Sequence, residues 1–144
     1  MKIRALVADD SKSMRAIVMA GLRHAQLGEF EFSEAVDGED CLNKFAPQEY
    51  DILFIDWNMP KMNGIDVVRK LRENPDNDHV KMVMLTSNTT QQFLTEALDD
   101  AGANQCISKP FTPKEMHSKL IDIIDAVIKH KKSGGGLLGK IFGT

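Results

Sequence analysis

The sequence predicts an α/β fold in which helices cover a mostly parallel β-sheet. Short apolar runs rich in β-branched residues alternate five times with segments of helical periodicity, and this alternation is typical of consecutive βαβ units. The length of 144 residues, of which 42% are hydrophobic and 27% charged, fits one globular domain. We therefore do not expect a second folded domain.

Five apolar runs are candidate strands. The third contains Ile52, Leu53, Phe54 and Ile55 in succession, and a continuous apolar stretch is typical of a strand that is buried on both faces. We therefore place this strand at the centre of the sheet. The five predicted strands span residues 3–9, 30–36, 51–56, 80–86 and 104–108.

Helical spacing of apolar residues marks the segments between the strands most clearly at 14–25, 65–71, 93–101 and 116–128. Gly102 is expected to end the third of these helices in a left-handed turn. The last helix is predicted to begin at Thr112 and Pro113, a cap followed by proline at the first helical position. The lysines at 129, 131 and 132 suit its negative end, and we expect them to be solvated.

Residues 133–144 differ in composition from the rest of the chain, so we expect a domain over 1–132 and a Gly-rich C-terminal tail over 133–144. Ser133 and three glycines have the composition of a flexible linker, and Leu137 to Phe142 form a short apolar segment. This tail is either a loose terminus or a docking peptide, since Leu138, Ile141 and Phe142 would share one face if the segment became helical. Both interpretations stay open.

Composition and charge argue against several classes of function. Eighteen Lys and Arg face twenty-one Asp and Glu, a net charge of −3, which disfavours nucleic acid as a partner. No apolar run approaches the length of a membrane span, and the N-terminus does not have the pattern of a signal peptide. Cys41 and Cys106 lie far apart without metal-ligand spacing. We therefore expect a cytoplasmic protein.

Carboxylates end two of the predicted strands. Functional residues of an open parallel sheet gather at the carboxyl ends of its strands. Strand one ends in Asp9 and Asp10, and strand three ends in Asp56. If these strands are neighbours, the three carboxylates share one pocket, and a divalent cation would relieve their repulsion. Oxygen ligands without a nearby His or Cys favour Mg²⁺.

Thr86 and Lys109 end the next two strands. Taken singly, Thr86 is an ordinary strand residue or a helix cap, and Lys109 is a solvated cation. The acid pair alone can simply complement a helix dipole. The joint occurrence of such residues at four strand ends is what favours a functional site.

These residues resemble the receiver domains of two-component response regulators, in their CheY-like single-domain form. The shared motifs are VADDS, DILFIDWNMPKMNG, MLTS and ISKPF, and the resemblance runs from about residue 2 to residue 131. It implies a five-stranded parallel sheet of order 2-1-3-4-5 with helices on both faces, which is the flavodoxin-like, doubly wound (βα)5 fold.

The resemblance also implies roles for the acidic residues. Asp56 would be the phosphoacceptor that takes a phosphoryl group from a histidine kinase. Asp10 would bind Mg²⁺ directly and Asp9 partly through water, and the site would be completed by Asp56 and the backbone carbonyl of Asn58.

Three further residues take their expected roles from the same resemblance. The Thr86 hydroxyl would donate to the phosphoryl oxygens, and Lys109 would pair with them. Before phosphorylation, Lys109 can neutralise the acid cluster instead. Pro110 would follow this lysine through a cis peptide bond.

The sequence departs from the family pattern at several positions. Cys106 stands where the family commonly has an aromatic residue that swings inward on activation, so we expect the change to be carried by residues 86–90 and the start of the helix predicted over 93–101. Asn58 and Asn88 stand beside the expected position of the hydrolytic water, and neither is a carboxylate, so we expect moderate self-dephosphorylation. Trp57 is expected to be a partly exposed loop residue.

The resulting hypothesis is a stand-alone signalling module rather than an enzyme, of the chemotaxis or motility type. Its output would be altered binding to a downstream target or phosphatase. One alternative is a receiver that forms part of a longer response regulator, with the Gly-rich stretch as the start of a linker. A second is a Mg²⁺-dependent phosphohydrolase, which is disfavoured because Asn58 cannot supply the second acid that such an enzyme needs.

Overall fold

The computed structural model describes residues 1–134, in which five parallel strands form one sheet of order β2-β1-β3-β4-β5. The predicted fold and strand order are therefore confirmed. The strands are β1 (Lys2–Ala8), β2 (Glu29–Ala35), β3 (Ile52–Asp56), β4 (Lys81–Thr86) and β5 (Gln105–Ser108). The helices are α1 (Lys12–His24), α2 (Gly38–Lys44), α3 (Gly64–Arg72), α4 (Gln91–Thr95) and α5 (Pro113–Lys132), with a 3₁₀ turn at Pro75–Asn77 and a π-helical segment at Glu96–Ala101.

Strand β3 lies at the centre of the sheet, and all five of its residues are buried. Successive side chains of a strand point to opposite faces. Leu53 and Ile55 therefore join the core beneath α2, α3 and α4, while Ile52 and Phe54 join the core beneath α1 and α5. Burial on both faces explains why this run has no polar alternation.

The helix ends follow the local signals of the sequence. The Thr112 hydroxyl accepts a hydrogen bond from the Glu115 N–H at 3.1 Å, and Pro113 is the first residue of α5. Gly102 has φ of 93°, the left-handed conformation expected after a helix. The predicted cap and the predicted stop are both confirmed.

The helix predicted over 93–101 is not regular. The apolar spacing predicted one α-helix over 93–101, but α4 ends at Thr95, and Glu96–Ala101 continues as a π-helix. Backbone hydrogen bonds span five residues in a π segment instead of the four of an α-helix. The segment still presents the apolar Ala97 and Ala101 to the core. The apolar periodicity therefore did not reveal the change.

Helix α5 is the last element of the described residues. The Ser133 hydroxyl donates to the His130 carbonyl at 2.7 Å, which satisfies one of the last carbonyls of the helix. The apolar segment 137–142, for which the sequence left two interpretations open, lies outside the described residues. Among residues 1–134, no helix is long and apolar enough to cross a membrane.

Candidate functional site

Three carboxylates meet at the carboxyl edge of the sheet. Strands β1 and β3 are neighbours, so Asp9 and Asp10, which follow β1, lie beside Asp56, which ends β3. Each offers a carboxylate oxygen within 4.8 Å of the other two. Asp9 and Asp56 are buried, and Asp10 is exposed. Asp9 and Asp56 therefore line the inner part of the pocket, and Asp10 lies where the pocket meets solvent.

The ammonium group of Lys109 faces two of these carboxylates. Lys109 follows β5, and its Nζ lies 2.5 Å from Asp56 Oδ1 and 3.5 Å from Asp9 Oδ2. Its backbone N–H donates to the Thr86 carbonyl at 2.8 Å, which holds the lysine beside the end of β4. Among residues 1–134, the ion pairs of these acids are those that Asp9 and Asp56 make with Lys109. The pocket therefore has an excess of negative charge.

Burial and the neighbouring acids together raise the pKa of Asp56. Burial raises the pKa of this carboxyl, the hydrogen bond and charge of Lys109 lower it, and the charges of Asp9 and Asp10 raise it, with a net increase above the ordinary value. A cluster of oxygen donors with unbalanced negative charge fits a small divalent cation such as Mg²⁺. The three aspartates could therefore hold a metal.

A close backbone contact fixes the segment that carries Asp56. A Cβ at Gly64 would lie 2.1 Å from the Asp56 carbonyl oxygen, so only glycine fits here. The Gly64 N–H donates to the Trp57 carbonyl at 2.8 Å, and the Trp57 N–H donates to the Leu85 carbonyl at 3.0 Å. Asp56 is therefore held in place from both the loop and the neighbouring strand.

Thr86 makes hydrogen bonds within the loop that follows β4. Its hydroxyl donates to the Asn88 carbonyl at 3.2 Å and accepts from the Asn88 N–H at 3.0 Å. The Asn88 side chain in turn accepts from the Thr90 N–H at 3.0 Å. Thr86 is thus buried at the pocket edge, where its hydroxyl holds the loop that leads into α4.

Comparison with known proteins identifies the family. Residues 5–121 match the model of the response regulator receiver domain. The chain belongs to this family. The receiver is 37% identical to the chemotaxis protein CheY1 of Helicobacter pylori over 82% of this chain and 94% of that protein. It is also 37% identical to the chemotaxis protein CheY-3 of Vibrio cholerae over 87% and 92% of the two chains.

A solved structure agrees with the architecture. The chemotaxis response regulator CheY4 of Vibrio cholerae aligns with a TM-score of 0.71 and 29% identity over 88% of the receiver and 99% of that chain. The receiver is therefore similar, over most of its length, to chemotaxis response regulators in both sequence and fold.

Pro110 and Cys106 lie on either side of Lys109 in the sequence. The Lys109–Pro110 peptide bond is cis, as the resemblance implied. Cys106 is 3% exposed, and burial raises the pKa of its thiol above the ordinary value, which makes it a packing residue rather than a nucleophile.

The expectation for Trp57 was wrong. Only 7% of this residue is exposed, and its ring packs edge-to-face on Phe93 of α4, with 4.9 Å between ring centroids. The hydrogen bond from its N–H to Leu85 continues the pairing of the strands by one residue, so the side chain points into the core. Asn58, the next residue, is exposed in the loop towards α3.

A second ionic cluster, which the sequence did not reveal, lies at the opposite edge of the sheet. Asp51 precedes β3 and is bound by Arg4 and by Lys131, each with 3.0 Å between nitrogen and oxygen. Lys131 was expected to be solvated, yet its side chain is only 19% exposed. Beside it, the rings of His79 and His130 stack with 4.9 Å between centroids. These contacts join residues far apart in the sequence, so no local pattern predicts them.

Proposed function

We propose that this receiver accepts a phosphoryl group on Asp56 from a histidine kinase in the cytoplasm and signals by changed binding to a downstream protein. Mg²⁺ would be held by Asp9, Asp10, Asp56 and the backbone carbonyl of Asn58. The observation that carries the proposal is the cluster of three carboxylates at the carboxyl edge of the sheet, two of which, Asp9 and Asp56, are paired with Lys109.

The transfer requires a nucleophile that is fixed in place and a charge balance that favours the product. A carboxylate oxygen of Asp56 attacks the phosphorus, the bond from phosphorus to the kinase histidine nitrogen breaks, and the electron pair of that bond stays on the imidazole. When bound, Mg²⁺ would neutralise charge on the phosphoryl oxygens. The Gly64 contact and the strand hydrogen bonds hold Asp56 still during this step.

Lys109 and Thr86 would recognise the product. The Lys109 ammonium already forms an ion pair with a carboxylate oxygen of Asp56. After transfer it can donate its hydrogen bond to the phosphoryl group instead, which carries a charge of about −1.5 to −2. The Thr86 hydroxyl would exchange the Asn88 carbonyl for a phosphoryl oxygen. This exchange removes one hydrogen bond from the loop before α4.

The fate of the phosphoryl group depends on the neutral residues around it. Asn58 and Asn88 can orient a water molecule but cannot take a proton from it, because an amide is not a general base at neutral pH. We therefore expect moderate self-dephosphorylation. The same absence of a carboxylate at position 58 disfavours a phosphohydrolase that turns over repeatedly.

The relatives support a pathway class for this chain. Both curated relatives described above are chemotaxis proteins, and each aligns over more than four-fifths of the receiver. We propose signalling of the chemotaxis or motility type, with a kinase and a target protein as partners.

A small acyl phosphate tests the proposal. The chain is incubated with acetyl phosphate and Mg²⁺, and the modified residue is located by peptide mass mapping. We expect one phosphoryl group on Asp56, none in Asp56→Asn, and none when a chelator replaces Mg²⁺. Asp122→Asn, at an exposed position on α5, is the matched control and should react like the wild type. Phosphorylation that persists in Asp56→Asn would contradict the assignment.

A further inference from the structure

One aromatic contact connects the acidic pocket directly with α4. Trp57 follows Asp56 in the chain, and its ring meets the Phe93 ring at an angle of 64° with 4.9 Å between centroids. Edge-to-face packing is a preferred arrangement of aromatic pairs. The residue next to the proposed phosphoacceptor therefore contacts the helix that follows Thr86.

The two partners in this contact differ in how firmly they are held. Trp57 is anchored at its N–H by Leu85 and at its carbonyl by Gly64, and its side chain is buried. Phe93 lies on α4, a helix of five residues, none of which is buried. Trp57 is thus a fixed surface, and α4 is the element that can move across it.

The π-helical segment after α4 makes such a movement possible. In Glu96–Ala101 the backbone hydrogen bonds span five residues instead of four, so the segment accommodates one residue more than an α-helical segment would. Conversion of this segment to α-helix would shift α4 by one residue, a rotation of about 100° around the helix axis. Between α3 and this segment, Arg69 and Glu96 form an ion pair at 2.7 Å whose side chains are 39% and 33% exposed, and a partly exposed pair is weak enough to break.

Strand β5, whose residues are Gln105, Cys106, Ile107 and Ser108, offers no aromatic side chain for the same task. Cys106 belongs to the same apolar core as Trp57, and Phe93 packs against that core. A buried cysteine sweeps little volume when its rotamer changes. The route from the pocket to α4 must therefore use another contact.

We propose that the contact between Trp57 and Phe93 transmits phosphorylation of Asp56 to α4 in this receiver, in place of a rotating aromatic residue on β5. The inference rests on the proposed function. When the Thr86 hydroxyl turns to the phosphoryl group, the loop at Asn88 loses a hydrogen bond, Phe93 shifts across the Trp57 ring, and the π segment absorbs the change.

Hydrogen exchange measured together with phosphorylation tests this inference. The full chain is treated with acetyl phosphate and Mg²⁺, the phosphorylated fraction is determined by intact mass, and exchange is followed in peptides covering 91–101. In the wild type we expect phosphorylation to change exchange in these peptides. In Phe93→Leu, Asp56 should be phosphorylated to the same extent as in the wild type. The change in exchange that phosphorylation causes in peptides 91–101 should be about two- to tenfold smaller, which is the fold-change that corresponds to the loss of one edge-to-face aromatic pair.

Two controls separate the ring contact from general effects. Phe93→Tyr keeps the ring and should retain the wild-type response. Phe45→Leu removes a ring that packs against the same core but stacks on Tyr50 instead, and it should also respond like the wild type. A wild-type exchange response in phosphorylated Phe93→Leu, or the same loss in Phe45→Leu, would overturn the inference. Failure of every variant and of the wild type to gain a phosphoryl group would instead contradict the proposed function itself.

Discussion

Strand β3 has a buried aspartate near each end, and the two aspartates have opposite charge surroundings. Asp51, just before the strand, is one acid shared by two cations, Arg4 and Lys131. Asp56, at the end of the strand, belongs to a cluster of three acids, of which Asp9 and Asp56 are paired with Lys109. The same residue type, five positions apart in the sequence, therefore has a satisfied environment at one edge of the sheet and an unsatisfied one at the other.

The pKa values of the two carboxyls move in opposite directions. Burial alone would raise the pKa of Asp51, but hydrogen bonds from Arg4 and Lys131 outweigh it and lower the pKa below its ordinary value. Burial dominates at Asp56 and raises the pKa. Uncompensated buried charge destabilises a fold. A role in binding a cation or a phosphoryl group explains why the protein has such a cluster around Asp56. We interpret the Asp51 edge as structural and the Asp56 edge as functional.

The largest expected effect concerns the metal. Asp10→Asn should weaken Mg²⁺ binding by about 10–100-fold, since even outer-shell substitutions at metal sites have effects of that size. Titration calorimetry measures the affinity, and the rate of phosphorylation should fall with it. Asp125→Asn, at an exposed position on α5, serves as the control. Unchanged Mg²⁺ affinity in Asp10→Asn would remove Asp10 from the proposed ligand set.

A smaller effect is expected at the structural edge. Arg4→Met should lower the free energy of unfolding by about 1–3 kcal/mol, because Asp51 loses charged hydrogen bonds while Lys131 remains. Lys2→Met removes the exposed pair with Glu29, 4.0 Å apart, and should change stability by less than about 0.5 kcal/mol. Urea unfolding in the presence of a chelator measures both values. Equal effects of the two substitutions would show that the Asp51 cluster is not structural.

The smallest effect is the pH dependence, which should have opposite signs at the two carboxyls. The stability contributed by Asp51 is present above the ordinary pKa of 3.8 and is lost as pH falls through its lowered pKa. For Asp56, whose pKa is raised from 3.8, stability is full below that value and declines as pH rises through the raised pKa.

The variant Asp56→Asn isolates the second of these contributions. Without metal, it should gain stability relative to the wild type as pH rises from 4 towards neutrality, as measured by urea unfolding at several pH values in this range. If the stability of Asp56→Asn relative to the wild type instead falls as pH rises over this range, the carboxylate of Asp56 is stabilised by its neighbours more than the structure indicates.

Much of the fold and the site was predictable because the signals are local. The apolar run at 52–55 predicted a central strand, and the polar residues that follow each strand predicted which edge carries the site. Strand ends differ by one residue from the prediction, for example 104–108 against Gln105–Ser108, because hydrogen bonding and not composition decides where pairing stops.

The features that were missed depend on tertiary contacts. The burial of Trp57 requires Phe93 of α4, and the pairing of Asp51 with Lys131 joins residues 80 positions apart. The π segment was missed because its apolar residues still fall at a spacing compatible with an α-helix. The sequence therefore predicted the residues of the pocket but not the contacts that connect it to α4.

The most direct test of the difference between the two edges compares Asp56→Asn with Asp51→Asn in one experiment. Both variants are treated with acetyl phosphate and Mg²⁺, their mass gain is recorded, and their urea midpoints are measured on the same samples. We predict that Asp56→Asn is folded, no less stable than the wild type without metal, and unreactive, whereas Asp51→Asn is less stable but still phosphorylated on Asp56. A phosphorylated Asp56→Asn, or a folded Asp51→Asn that does not react, would contradict this account.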